Sequence, residues 1–202
     1  MRHDYLLVRR RVVGNLKTKL WQAQRRLVLQ TPQYVAWHFH PETLESCLAA
    51  VNSYLGHFKH AQSRGLIRKL WREFSFLSRF FKLSSQKLVR LDQPLRRKIA
   101  LKQQARWLQR QFDGYVCLIQ IGNYFEAFNA GAYRLAEKLK LKLQKNWRGF
   151  AVGCGFHHRL LPNRLAELKK QRVPVVVVRQ TGRELYKTKE RLPALMVEYS
   201  KE

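Results

Sequence analysis

The stretch "YVCLIQIGNYFEAF", Tyr115 to Phe128, decides how the second half of the chain folds. Its first part reads as a strand. Gly122 and Asn123 make a turn, and a second strand runs from Tyr124 to Phe128. Phe125 stands one residue out of phase with Tyr124 and is the expected core member of the pair. Glu126 is a lone carboxylate in a chain crowded with lysine and arginine.

Outward from this hairpin, strands and helices alternate. "AGAYRLAEKLKLKL" is expected to be helical, "GFAVGCGF" extended, and "LPNRLAELKKQR" helical again. "VPVVVVRQ" has the β-branched run of a strand covered on both faces. "ALMVEYS" is the expected last strand. Residues 112–202 therefore read as a mixed α/β domain.

The first half has a helical period. "RVVGNLKTKLWQAQRRLVL", after a short extended lead-in, puts Val13, Leu16, Leu20, Ala23 and Leu27 on one face. "HPETLESCLAAVNSYLGHF" starts with Pro41 at a first helical position and carries Leu44, Cys47, Leu48, Val51 and Leu55 as its stripe. "SRGLIRKLWREFSFLSRFF" continues the pattern through Leu66, Ile67, Leu70, Trp71, Phe74 and Phe81. These predict a helical bundle over residues 1–82. Asp92 and Pro94 look like the start of a further helix, a basic linker within 83–111. That helix sets Lys98, Lys102, Arg106 and Arg110 four apart on one face. Like charges at this spacing repel, and a phosphate backbone would relieve them. The expected class is α+β overall: a helical bundle followed by a mixed α/β domain.

Charge points to the partner. Against 40 Lys+Arg stand 13 Asp+Glu, a net +27. Residues 1–110 carry 23 basic and 5 acidic side chains, and residues 111–202 carry 17 and 8, so the excess runs along the whole chain. Duplex nucleic acid is the expected partner. The three cysteines are far apart and form no CxxC, which fits a reducing, cytoplasmic setting. No apolar run of about 18 residues is present, so no membrane partner is expected. His38, His40, His57 and His60 with Cys47 match no standard zinc spacing, and no metal or other cofactor is expected.

Residues 112 to 199 resemble the N-terminal mismatch-recognition domain of MutS proteins. The resemblance rests on Gly122, Tyr124, Phe125, Glu126 and Phe128, on the small-residue helix after them, and on "VGCGFHHRLLPNRLAELKKQRVPVVVVRQ" in the family's order and spacing. It implies that Tyr124 takes the place of the stacking phenylalanine and Glu126 that of the base-contacting glutamate. Tyr stands where the family has Phe, and Gly155 where it usually has proline. His157 falls on the family's histidine, as a structural hydrogen-bonder before the helix. Trp147 and Arg148 fall in an expected loop open to stacking or phosphate contact.

Residues 1 to 80 resemble the end of the palm and the thumb in reverse transcriptases of diversity-generating retroelements, through "DYLLVRRRVVGNLKTKL" and "VNSYLGHFKHAQS". The resemblance implies a helical grip on primer-template, with Arg9, Arg10, Arg11 and Lys17 on the nucleic acid. Polymerisation needs clustered carboxylates for two metal ions. Asp4, Asp92 and Asp113 are scattered, so no catalytic residue is assigned and a separate reverse-transcriptase palm polypeptide is a possible partner. No G-x-x-x-x-G-K-[ST] occurs either. Two other readings stay open: the non-catalytic C-terminal subunit of a split RNA-directed DNA polymerase, and a stand-alone mismatched-DNA-binding module.

Overall fold

The structure is a computed structural model; it describes residues 2–56, 60–84, 87–93, 100–185 and 188–199, with side chains in the first and third helices described from Val12 and Ile67 onward. Of the positions singled out above, His57, Pro94 and Lys98 lie outside the described residues. So do the side chains of Asp4, Arg9, Arg10, Arg11, His60 and Leu66. The fold is α+β. The chain divides into two units, Met1–Leu29 with His38–Asp92, and Gln30–Trp37 with Gln93–Glu202.

The first unit holds helices α1 (Arg2–Leu27), α2 (Pro41–Gly56) and α3 (His60–Glu73). The expected extended lead-in is helical from Arg2. Leu16, Leu20, Ala23 and Leu27 are buried on α1, and Leu44, Cys47, Val51 and Leu55 on α2, as the stripes predict. The third stripe does not continue as one helix. After Glu73 the chain turns, with Phe74 and Phe76 buried, forms the short α4 (Leu77–Phe80), and then pairs β3 (Phe81–Ser84) with β4 (Lys87–Arg90). Four phenylalanines within eight residues explain the break: Phe74, Phe76, Phe80 and Phe81 are all buried, which no single helix face allows. The expected helix start after Asp92 lies outside the described residues. Asp92 is buried and accepts two hydrogen bonds from Arg90, at 2.9 Å from Nε and 2.6 Å from Nη2. The boundary of the unit falls after Asp92 rather than at 82.

The second unit holds most of an eight-stranded sheet. Its strands are β1 (Val28–Gln30), β2 (Val35–His38), β5 (Val116–Ile121), β6 (Tyr124–Phe128), β7 (Gln144–Trp147), β8 (Phe150–His157), β9 (Val175–Leu185) and β10 (Thr188–Glu198). Their order is β1-β2-β10-β9-β5-β6-β8-β7, with β5 and β9 parallel and β5, β6 and β8 antiparallel in turn. Helices α5 (Leu101–Gln111), α6 (Ala130–Leu139) and α7 (Leu161–Lys170) complete it.

Strand alternation sorts the side chains onto two faces. Phe125, Ala127, Leu118, Val177, Cys154 and Phe156 form one core with α6 and α7. Full burial of a ring such as Phe125 contributes about 1.5–3 kcal/mol. On the opposite face, α5 lies over β5 and β6, where the Cys117 thiol meets the Leu108 carbonyl and Gln109 donates to the Phe128 carbonyl. The expected linker helix is thus a layer of the second unit. Tyr124 and Glu126 point to this α5 side, out of phase with Phe125 as predicted.

Two other expectations fail locally. Helix α6 ends at Leu139 instead of running on, because Lys140 adopts a left-handed φ of 54°, and β7 follows. Trp147 and Arg148 are consequently not in an open loop: Trp147 closes β7, and Arg148 with Gly149 forms the two-residue turn into β8.

Candidate nucleic-acid interface

The site grows from two hairpins. In the first, Ile121 pairs with Tyr124 across Gly122–Asn123, and Gly122 takes the φ of 57° that a twist-matched hairpin turn needs. The tip is anchored by the His158 N–H, which donates to the Asn123 carbonyl at 2.7 Å. In the second, Arg148 and Gly149 have φ of 49° and 77°, both in the left-handed region. A non-glycine residue there costs about 1–2 kcal/mol. Asn146, at φ 50°, adds a further break in the alternation of β7 just before Trp147.

The break brings the Trp147 indole over the backbone of Gly153, where a β-carbon would stand 2.5 Å from Cδ1. At Gly155 a β-carbon would stand 2.6 Å from the Phe125 carbonyl oxygen and 2.9 Å from Glu126 Cγ. The two glycines of "GCG" are therefore the floor on which Trp147 and Glu126 rest. This explains why glycine rather than proline suits position 155 here.

Glu126 is buried, with 3% of its surface exposed. Its Oε2 accepts from Trp147 Nε1 at 2.7 Å, and the Arg148 Nε–H is shared between Oε2 at 2.8 Å and Oε1 at 3.1 Å. Arg148 itself remains 38% exposed, and its guanidinium lies over the Trp147 ring at 5.3 Å from the centroid. Arg191 stands behind them, buried. It donates from Nε to the Gln120 carbonyl and from Nη1 to that of Lys189. Burial, and then the charge of Arg148, pull the Arg191 guanidinium below its ordinary value, against the opposing charge of Glu126. Beside this group lies a cavity of about 330 Å³ lined by Tyr124, Glu126, Gln144, Trp147, Arg148 and Gly155, with Cys154 at its base.

Tyr124 is half exposed and meets His157, its cross-strand partner, edge-to-face at 5.5 Å. His157 accepts from the Arg159 N–H and so caps the short 3-10 turn that leads into α7. On α5, Lys102, Arg106 and Arg110 are exposed, opposite the buried Ala105 and Leu108. At four-residue steps they are about 6 Å apart along the helix axis. The row ends at the second hairpin, since the Lys102 ammonium lies 3.7 Å from where a β-carbon of Gly149 would stand.

Sequence reading named Tyr124, Glu126, Lys102, Arg106 and Arg110, and these belong to one unit and one side of its sheet. It did not assign Trp147 and Arg148 as partners of Glu126, nor Arg191 or Gln144. The available signal was the Gly153–Gly155 spacing, which marks a strand face too close to other groups for side chains. In the first unit, Lys17 donates to Glu73 at 2.6 Å. Such a half-exposed pair is worth ~0–1 kcal/mol.

The three cysteines are free and buried. Burial pushes the Cys47 thiol up to about 11, Cys117 to about 12 and Cys154 to about 11. Among the described residues, no group of three or more His, Cys, Asp or Glu is placed to hold a metal, and no helix is long and apolar enough to cross a membrane. No family model and no curated protein matches this chain.

Proposed function

We propose that the chain binds duplex nucleic acid, and that its second unit recognises mismatched or distorted pairs in the manner of the MutS N-terminal domain. The first unit serves as a reverse-transcriptase thumb-like grip on primer-template, working with a palm carried by another polypeptide. One observation carries the reading. A half-exposed Tyr124 ring stands two residues from a held carboxylate, on the same side of the sheet as the exposed row Lys102, Arg106 and Arg110.

The physics follows from those parts. The cationic row holds phosphates without regard to sequence and fixes register. A ring placed at a weakened step enters the stack. Unstacking costs a few kcal/mol, least where pairing is already faulty, and the ring returns ~1–3 kcal/mol by stacking. Discrimination is the difference between a faulty and a sound step. The Tyr124 hydroxyl adds a polar edge, so a phenylalanine would stack at least as well.

Binding to matched and mismatched DNA and RNA–DNA duplexes at several salt concentrations tests the reading. Tighter binding to the mismatched duplex, lost in Tyr124→Ala, supports it; equal binding to every duplex overturns it. The chain alone is expected to incorporate no nucleotide with magnesium or manganese, and incorporation by a pure sample would overturn the thumb-without-palm assignment.

A further inference from the structure

The cavity beside Tyr124 has its principal side already made for a planar hydrogen-bond donor. The Arg148 guanidinium is a flat group that lies over the Trp147 ring and presents an N–H to the Glu126 carboxylate. Its hold is a weak form of what an arginine can offer. One N–H is divided between two oxygens, at 2.8 and 3.1 Å, where a fork would give two parallel bonds. Meanwhile Trp147 Nε1 fixes Oε2 at 2.7 Å, so the carboxylate stays oriented whether Arg148 is present or not. Arg148 is also the one member of the trio that is well exposed, at 38%, and sits on a turn.

We propose that this cavity receives an unpaired guanine, which displaces Arg148 from Glu126. Guanine is the standard base whose pairing edge carries two adjacent donors, N1–H and the N2 amino group. It can give one to each carboxylate oxygen while its ring takes the place of the guanidinium over Trp147. Adenine and cytosine offer one donor beside an acceptor, and thymine or uracil one donor between two acceptors, so each sets a lone pair against the carboxylate. Gln144, exposed and lining the same cavity, has an amide N–H for the guanine O6. The volume, about 330 Å³, lies at the lower end of the ~300–1,000 Å³ of small-molecule sites and suits one base rather than a longer ligand. The inference rests on the duplex-binding reading above and specifies what the second unit reads.

The test uses the full chain and fluorescently labelled duplexes, in DNA and in RNA–DNA form. They are a matched duplex, and the same duplex with a one-nucleotide bulge carrying guanine, adenine or an abasic residue. The guanine bulge is expected to bind about tenfold more tightly than the abasic bulge, within the range of a good bidentate base contact, and more tightly than the adenine bulge. Glu126→Gln, checked by its melting temperature, removes the guanine preference because one acceptor oxygen becomes a donor. Arg148→Ala weakens matched binding but widens the guanine-to-abasic ratio, because the competing internal donor is gone. A merely structural Arg148 would move neither ratio. Guanine, adenine and abasic bulges binding alike, all above the matched duplex, would overturn the guanine pocket and leave distortion recognition standing. Bulged and matched duplexes binding alike would overturn both.

Discussion

Among the described residues, two buried carboxylates meet arginine, one in each unit, and they are built differently. In the first unit Asp92 and Arg90 are both buried, with side chains 2% and 4% exposed. Arg90 gives a parallel pair of hydrogen bonds to Asp92 and uses Nη1 on Glu45 at 2.6 Å. Burial lowers the Arg90 guanidinium, but hydrogen bonds and charge from Asp92, then Glu45, outweigh it and hold the group above its ordinary value. That site is closed. In the second unit the carboxylate of Glu126 is equally buried, but its arginine is exposed, shares one N–H, and borders a cavity. In the first arrangement all three guanidinium nitrogens of Arg90 hold the chain; in the second, Arg148 keeps 38% of its side chain open to solvent. Buried charge alone does not mark a binding site.

The largest effect is expected at the closed site. Asp92→Ala leaves Arg90 buried without its main partner and should cost about 3–5 kcal/mol, read as an early melting transition. Glu126→Gln should cost clearly less, because an exposed Arg148 can turn to water; equal losses would break the comparison. Gly155→Ala comes next. Its β-carbon meets the Phe125 carbonyl at 2.6 Å, a backbone atom that cannot swing aside, so a loss of about 1–3 kcal/mol is expected with disordering of the Glu126 site. Tyr124→Ala should barely move the melting temperature, since half of that side chain is exposed, yet remove ~1–3 kcal/mol of mismatch discrimination. Tyr124→Phe should keep the discrimination. Early melting of Tyr124→Ala would make the ring structural. Smallest are Lys102→Ala, Arg106→Ala and Arg110→Ala. Each should weaken all duplexes alike and flatten the log–log salt slope by about 0.9 on duplex DNA; an unchanged slope in the triple variant would make the row plain solvated surface.

Much of the second unit was legible because its signals are local. Gly122 fixes a turn, the Val175–Val178 run fixes a covered strand, and the phase difference between Phe125 and Tyr124 fixes which ring is core. What escaped depends on contacts between distant residues. β1 and β2 are three and four residues long, too short to show alternation; β2 pairs with β10, far along the chain, and β1 with β2. "AGAYRLAEKLKLKL" reads as one helix until Lys140 turns left-handed. The Glu126 site escaped for the same reason: Trp147 and Arg148 lie 21 and 22 residues away, and only the β6–β8–β7 pairing brings them to it. Residue types at the site were readable, but which donor holds the carboxylate was not.

The hairpin of β1 and β2 also sets a timetable. Residues 30–37 belong to the second unit although the chain then returns to the first, and β2 hydrogen-bonds to β10, roughly 150 residues later. At ~5–20 residues per second of synthesis, this hairpin waits about 8–30 s for its partner strand to emerge. Until then its pairing groups are an open edge, and open edges template association between chains. A fragment starting at Gln93 would lack β2 and so bare the part of the β10 edge that its four residues cover. The second unit is thus completed only when its last strand emerges, and a fragment that lacks β2 would leave part of β10 open to other chains.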